Sequence, residues 1–332
     1  VNSIIGSLMS SEISFRINGS NNKYTTLVLP STQNRNITNG VGLMRKNPTH
    51  EEFKFIQIDE YNKEISIQVG EWTIGKDLII PPGYIVMSLP NTILRLVKGA
   101  SIVSYSPLSF YGTDQHPIVI KSDDGNGRGL VVLNTKNNAS KIFNVIFRNL
   151  SKPTEPGWAL TSAVTFYESE VHFDKTSFIS NRYSDDALNI FRSKFSINES
   201  KFLNSFADAL DIDYSTGSIS DIYFEKCGAT DQNGDCIDIS GSMVKINNIR
   251  INEAGDKALS IGEKSSVIAN NINISNANVA VASKDSSDIK LDGLDIRHSS
   301  FGFAVYRKKK EFGPAKITAT KYFGKNIDCL LY

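Results

Sequence analysis

The chain has 332 residues, with 36 Lys and Arg against 35 Asp and Glu and a hydrophobic content of 40%. A net charge this close to zero supplies no global field for nucleic acid or an anionic membrane. No apolar run approaches the roughly 20 residues of a membrane span, yet a sizeable core can be built.

The chain begins at Val1 without a basic stretch leading into an apolar one, and so reads as a mature or excised fragment. Residues 1–71 lack the pattern that dominates the rest. They are expected to form a small β-rich cap or the remnant of an upstream domain absent from this chain. Residues 72–332 are expected to be one solenoid with its own C-terminal cap. Its first coils are read in 72–112 and 116–134, where β-type runs alternate with Pro and Gly turns. Gly125, Gly127 and Gly129 fall between two such runs with no helix after them, which marks an inter-coil turn rather than a phosphate loop. The Pro- and Gly-rich stretch 151–161 is expected to leave the coil as a loop.

A repeat then becomes explicit. The runs SAVTFYE (162–168), DALNIFR (186–192), DALDIDY (208–214), DCIDISG (235–241), KALSIGE (257–263), VAVASKD (279–285) and FAVYRKK (303–309) each alternate with period 2. Aligned on their apolar residues, they place Thr165, Asn189, Asp211, Asp238, Ser260, Ala282 and Tyr306 in one outward column, at intervals of 24, 22, 27, 22, 22 and 24 residues. A second set of alternating runs lies between them, and no segment has a helical period. A period in this range without the leucine-rich pattern predicts an all-β, right-handed parallel β-helix. The pairs Asn247-Asn248 and Asn270-Asn271, with Asn204 and Asn276, are expected at coil corners, where asparagine tolerates left-handed backbone. Phe166, Phe173, Phe178, Phe195, Phe202, Phe206 and Phe224 are expected to stack in the core. The three cysteines, Cys227, Cys236 and Cys329, form neither a disulfide framework nor a zinc pattern. Cys227 and Cys236 could pair if the fold brings them together, but buried free thiols are the expectation.

From about residue 72 to 320 the chain resembles the pectin-lyase-like superfamily, and its middle resembles the polygalacturonase pattern of N-T-D, D-D, G-H-G and R-I-K on successive coils. FADALDI matches the first through Asp208. NGDCIDI matches the second through Asp235, with Gly234 in place of the acid that would protonate the leaving group. DKALSIG matches the third with Lys257 for histidine. VASK matches the fourth with Ala282 for arginine and Lys284 retained. The chain also looks like other bacterial β-helix proteins, some of which follow a CotH-type kinase-like domain. The resemblance implies chemistry on acidic polysaccharides.

Stacking places Asp211 beside Asp238, ~4.8 Å apart at the backbone, with Asp213 two residues further along its strand. Three readings of this acidic patch stay open. Two carboxylates could serve as acid and base or nucleophile on a glycosidic bond. Asp211, Asp213 and Asp238 could instead hold Ca²⁺, with Lys284 or Tyr306 as the base for elimination or epimerisation of a uronate. Or the acids simply keep exposed strands wet, while the row Asp208, Asp235 and Asp256 at one corner does turn chemistry. Asn189, Lys257, Glu263, Arg307 and Lys308 are candidates for binding substrate. The expected function is action on a uronate-containing polysaccharide by lyase, epimerase or hydrolase chemistry, outside the cell or at its surface. The alternative is a non-catalytic glycan-binding, adhesin or scaffold module.

Overall fold

The computed structural model describes residues 12–16, 22–27, 47–135, 138–155, 158–228 and 233–331. Two compact units divide at Arg45 and Lys46. In the first, Glu12–Arg16 and Lys23–Leu27 form an antiparallel hairpin. The remainder of the expected N-terminal cap up to residue 46 lies outside the described residues, as do residues 156 and 157 of the 151–161 loop.

The second unit is a right-handed parallel β-helix. Each coil contributes short strands that pair in parallel with the coils before and after it. Asp186–Phe191, Lys194–Asn198 and Lys201–Leu203, for example, pair with Ser162–Tyr167, Val171–Asp174 and Ser177–Ile179. The parallel ladder starts upstream of residue 72, because Glu64–Ile67 already pairs with Ile85–Ser88. That first strand is itself covered by the antiparallel strand Ile56–Asp59. Phe53 and Phe55 turn inward there, and Phe55 stacks on Trp72. At the other end Lys316–Leu331 supplies the last coil, paired to Asp288–Tyr306 and largely exposed. Among the described residues no helix is long and apolar enough to cross a membrane.

The core follows from the period-2 alternation, since like positions of successive coils stack at one height. Phe147, Phe178, Phe202 and Phe224 are register partners, and their rings stack at 5.1, 4.6 and 4.8 Å. Ile251, Ile274 and Ile296 continue that column. Phe206 departs from the expectation: it is only half-buried and packs on Tyr183 outside the core.

Corners carry the second repeat. Asn204, Asn248, Asn271 and Asn276 all have left-handed backbone, as expected. A serine column that the sequence reading passed over is equally regular. The Ser215 hydroxyl accepts the Ser193 N–H, the Ser242 hydroxyl that of Ser215, the Ser265 hydroxyl that of Ser242, and the Ser287 hydroxyl that of Ser265, at 2.8 to 3.1 Å. These serines are buried. Each satisfies a backbone donor that the turn would otherwise strand, a saving of roughly 1–3 kcal/mol per group.

Cys227 and Cys236 form a disulfide, which corrects the expectation of free thiols. The interval between Asp211 and Asp238 is the longest of the repeat, and the two cysteines fall within it. Their Cα atoms lie 5.2 Å apart, within disulfide range. Cys329 is free.

Candidate functional site

The acids are assembled by register. Asn189, Asp211, Asp238, Ser260, Ala282 and Ala304 form one outward column. Its last member corrects the sequence alignment. Tyr306 pairs with Lys284, not with Ala282, so it stands with Lys284 two residues further along the strands. Phe191, Asp213 and Ser240 occupy that same outward row earlier in the coil stack. Asp186 and Asp208 pair at the start of their strands.

Each of these acids is held. Asn189 is buried and its amide donates to Asp211 at 2.9 Å and to Asp213 at 3.0 Å. It therefore positions the two carboxylates, and its amide is not free for substrate. At the corner Asp208 accepts the Asp235 N–H at 2.7 Å, and Asp235 accepts the Lys257 N–H at 2.9 Å. The corner row thus does turn chemistry, as read from sequence, and it also belongs to the cluster. Lys257 reaches Asp235 at 3.4 Å and bonds Asp256. The Lys284 ammonium stands 3.5 Å from Asp238. Glu263 accepts the Tyr214 hydroxyl at 3.2 Å and pairs with Lys309. Of the expected binding residues, only Arg307 and Lys308 are exposed with their charged ends unassigned to these acids.

Crowding and burial raise the carboxyl pKa values. Burial, then the charge of Asp235, pushes Asp208 up to about 9. Burial does the same to Asp186, to about 8, against a hydrogen bond from Thr161 and with Asp185, Asp213 and Asp238 adding to it. Asp211 lies well above the ordinary carboxylate range, first through burial and then through Asp186, Asp213 and Asp238. Asp213 is raised by burial, although bonds from Asn189 and Asp211 oppose it. Asp235 reaches about 6 through burial and Asp238, restrained by Lys257. Burial acts against the charge on Lys257, but Asp235 and Asp256 outweigh it and raise its pKa. Tyr306 is raised by burial.

The oxygens close enough to share one cation belong to Asp208, Asp235 and Asp238, all within 4.8 Å of one another. This is not the expected set of Asp211, Asp213 and Asp238. Lys257 and Lys284 already face two of the three acids, so the donor set carries resident cations of its own and does not fit Ca²⁺ as its ordinary partner.

Gly234 stands where the polygalacturonase pattern has its leaving-group acid. A Cβ there would overlap the Ala207 carbonyl oxygen and the Gly228 backbone. The fold has closed over that position. Sequence reasoning missed the role of Asp186, whose buried Oδ2 has no hydrogen-bond partner. Its place opposite Asp208 in the repeat was the available signal. Missed too was Tyr214, signalled by its place one residue beyond the acids. A concavity of about 650 Å³ lined by Tyr84, Tyr105 and Asn134 shares no residue with the cluster.

No family model and no curated protein sequence matches the chain. Among solved structures it is similar to the catalytic domain of a GH87 α-1,3-glucanase, at 13% identity and TM-score 0.46 over 82% of this chain. It spans 62% of the length of that domain. Likewise similar is an alginate lyase from Paenibacillus sp. str. FPU-7, at 12% identity and TM-score 0.45, covering 76% of this chain and 91% of that one. A third is the enzymatically active domain of bacteriophage CBA120 tailspike protein 2, at 12% identity and TM-score 0.37, over 75% of this chain and 39% of that one. By its own coil stacking, the chain has the right-handed parallel β-helix fold.

Proposed function

We propose that this β-helix hydrolyses glycosidic bonds of a polysaccharide, with Asp211 as the acid and Asp238 as the carboxylate opposite it. One observation carries the reading. The two are direct register partners in unlike surroundings, Asp211 among other acids and Asp238 against the Lys284 ammonium. Two adjacent carboxylates, one raised by burial among other acids and one facing an ammonium, suit a proton donor and a nucleophile. Protonated Asp211 gives its proton to the glycosidic oxygen while Asp238 attacks the anomeric carbon. Water then displaces Asp238, losing its proton to Asp211, so one bond and one water are consumed. Neighbouring strands lie ~4.8 Å apart, which favours the short carboxylate separation, about 5–5.5 Å, of retaining enzymes.

Elimination or epimerisation of a uronate has less support. Both reactions need a base working near neutrality. Lys257 and Tyr306 are shifted the wrong way for that, and Lys284 faces Asp238. Support for an acidic substrate comes from Arg307 and Lys308 alone, so neutral sugars suit the acid cluster better. The disulfide favours an oxidising compartment outside the cytosol.

The second reading, a glycan-binding module without turnover, draws on the closed Gly234 position. Incubation with α-1,3-glucan, xylan, alginate and polygalacturonate decides between them. New reducing ends without the ultraviolet absorbance of an unsaturated uronate, abolished in Asp211→Asn and Asp238→Asn, support hydrolysis. Absorbance of that product supports elimination instead. Retention on a polysaccharide with neither signal supports binding alone.

A further inference from the structure

Beyond the acids, the turn at the end of their strands carries aromatic rings that the hydrolytic reading leaves unused. Tyr167, Phe191 and Asp213 are successive register partners in one outward row. The Tyr167 and Phe191 rings stack 5.1 Å apart at 7°. Tyr214, next to Asp213, breaks that stack and meets Phe191 edge-on, at 5.7 Å and 73°.

Three contacts fix the Tyr214 ring. Phe191 supports one edge. Gly241, in the next coil, lets the ring pass over it, since a Cβ there would come 2.6 Å from the ring Cδ1. Glu263, a coil further on, accepts the hydroxyl at 3.2 Å and is itself paired with Lys309. The ring is nevertheless 53% exposed. A single exposed tyrosine is ordinary on a protein surface. A clamped one, beside a cluster of titratable acids, is not explained by packing.

We infer that Tyr214 is a stacking platform for a pyranose ring of the chain bound at the acid cluster, an inference that rests on the polysaccharide reading above. The axial C–H bonds of a pyranose form an apolar, slightly positive face, and an aromatic ring presents a negative one. A ring already immobilised loses little freedom on binding. The row from Tyr167 through Phe191 and Tyr214 to Glu263 runs along the solenoid axis. The platform therefore flanks the acids, and the glycan lies along the coils rather than around one.

The test reads binding without turnover, in the Asp211→Asn chain. Affinity electrophoresis is run in α-1,3-glucan, xylan, alginate and polygalacturonate. Adding Tyr214→Ala is expected to weaken retention about tenfold in apparent Kd, the loss of one aromatic contact. Gly241→Ala, which displaces the ring, is expected to weaken it too. Tyr214→Phe keeps the ring face and most of the affinity. The thermal midpoints of the Tyr214 variants stay close to that of the parent, whereas Gly241→Ala, at φ +61°, melts lower, so the Tyr214 variants decide the test. Unchanged retention in Tyr214→Ala overturns the platform and leaves the polysaccharide reading standing. An equal loss in Tyr214→Phe also overturns it, because the hydroxyl clamp and not the face would then matter. No retention of the wild-type or Asp211→Asn chain on any of the four overturns both.

Discussion

The Lys284 ammonium stands 3.5 Å from the Asp238 carboxylate although their strands are two coils apart. Ser260 and Gly262, on the coil between them, are small and leave the lysine room to reach back; a Cβ at Gly262 would come 2.9 Å from the Lys284 Cε. Replacing Lys284 by Met keeps the bulk and strands Asp238 among other acids. Breaking a buried pair costs about 3–5 kcal/mol, and the partial exposure of Asp238 puts this case near the lower end. Urea unfolding at neutral pH is expected to show that loss. Hydrolysis, if present, falls with it at neutral pH.

The acids with raised pKa values set the pH dependence of stability. Asp208 ionises near 9 and Asp186 near 8 in the folded chain, against an unfolded value near 3.8. Between those limits the folded state holds protons that the unfolded state has lost. Stability from these groups is complete below pH ~4 and falls as pH rises toward ~9. Thermal melts across that range are expected to show a falling midpoint. Asp186→Asn and Asp208→Asn flatten the curve and melt higher than wild type at pH 8–9. Asn at 208 still offers an oxygen to the Asp235 N–H. A midpoint that rises with pH would contradict the assignment.

Much of this was legible in the chain, and the limits were physical. Alternation and a period of 22 to 27 residues are read directly from the apolar positions, so the solenoid and the Asp211–Asp238 register followed. Tyr306 was misplaced because side-chain direction repeats every two residues. Ala304 and Tyr306 both point outward, and a shift of two positions leaves the apolar pattern intact. The engagement of Lys257, Lys284 and Lys309 was invisible because long side chains reach across coils, which no column alignment records. The cysteine pair was hidden because Cys227 and Cys236 meet only in three dimensions, where Gly228 lies against Gly234.

The disulfide gives a third prediction. Cys227 and Cys236 are nine residues apart and both buried. A loop of this size contributes roughly 2–3 kcal/mol through the unfolded chain. The double variant Cys227→Ala, Cys236→Ala is expected to lose that amount in denaturant unfolding. A reductant should lower the midpoint of the wild type and leave the double variant unchanged. Because Asp235 adjoins Cys236, the variant should also weaken any activity at the acid cluster.

The last prediction concerns metal. Asp208, Asp235 and Asp238 bring oxygens within 4.8 Å of one another, a spacing that invites a divalent cation. Two resident ammonium groups already face them. Lys257 lies against Asp235 and Lys284 against Asp238. A cation would have to displace both, so EDTA and added Ca²⁺ are both expected to leave the wild-type thermal midpoint unchanged. The double variant Lys257→Met, Lys284→Met removes the resident charges and leaves the oxygens in place. Its midpoint is expected to fall and then to rise by several degrees with Ca²⁺, a rise lost in Asp235→Asn. A Ca²⁺-dependent rise in the wild type would show that the lysines yield to the ion, and would return the cluster to the metal reading.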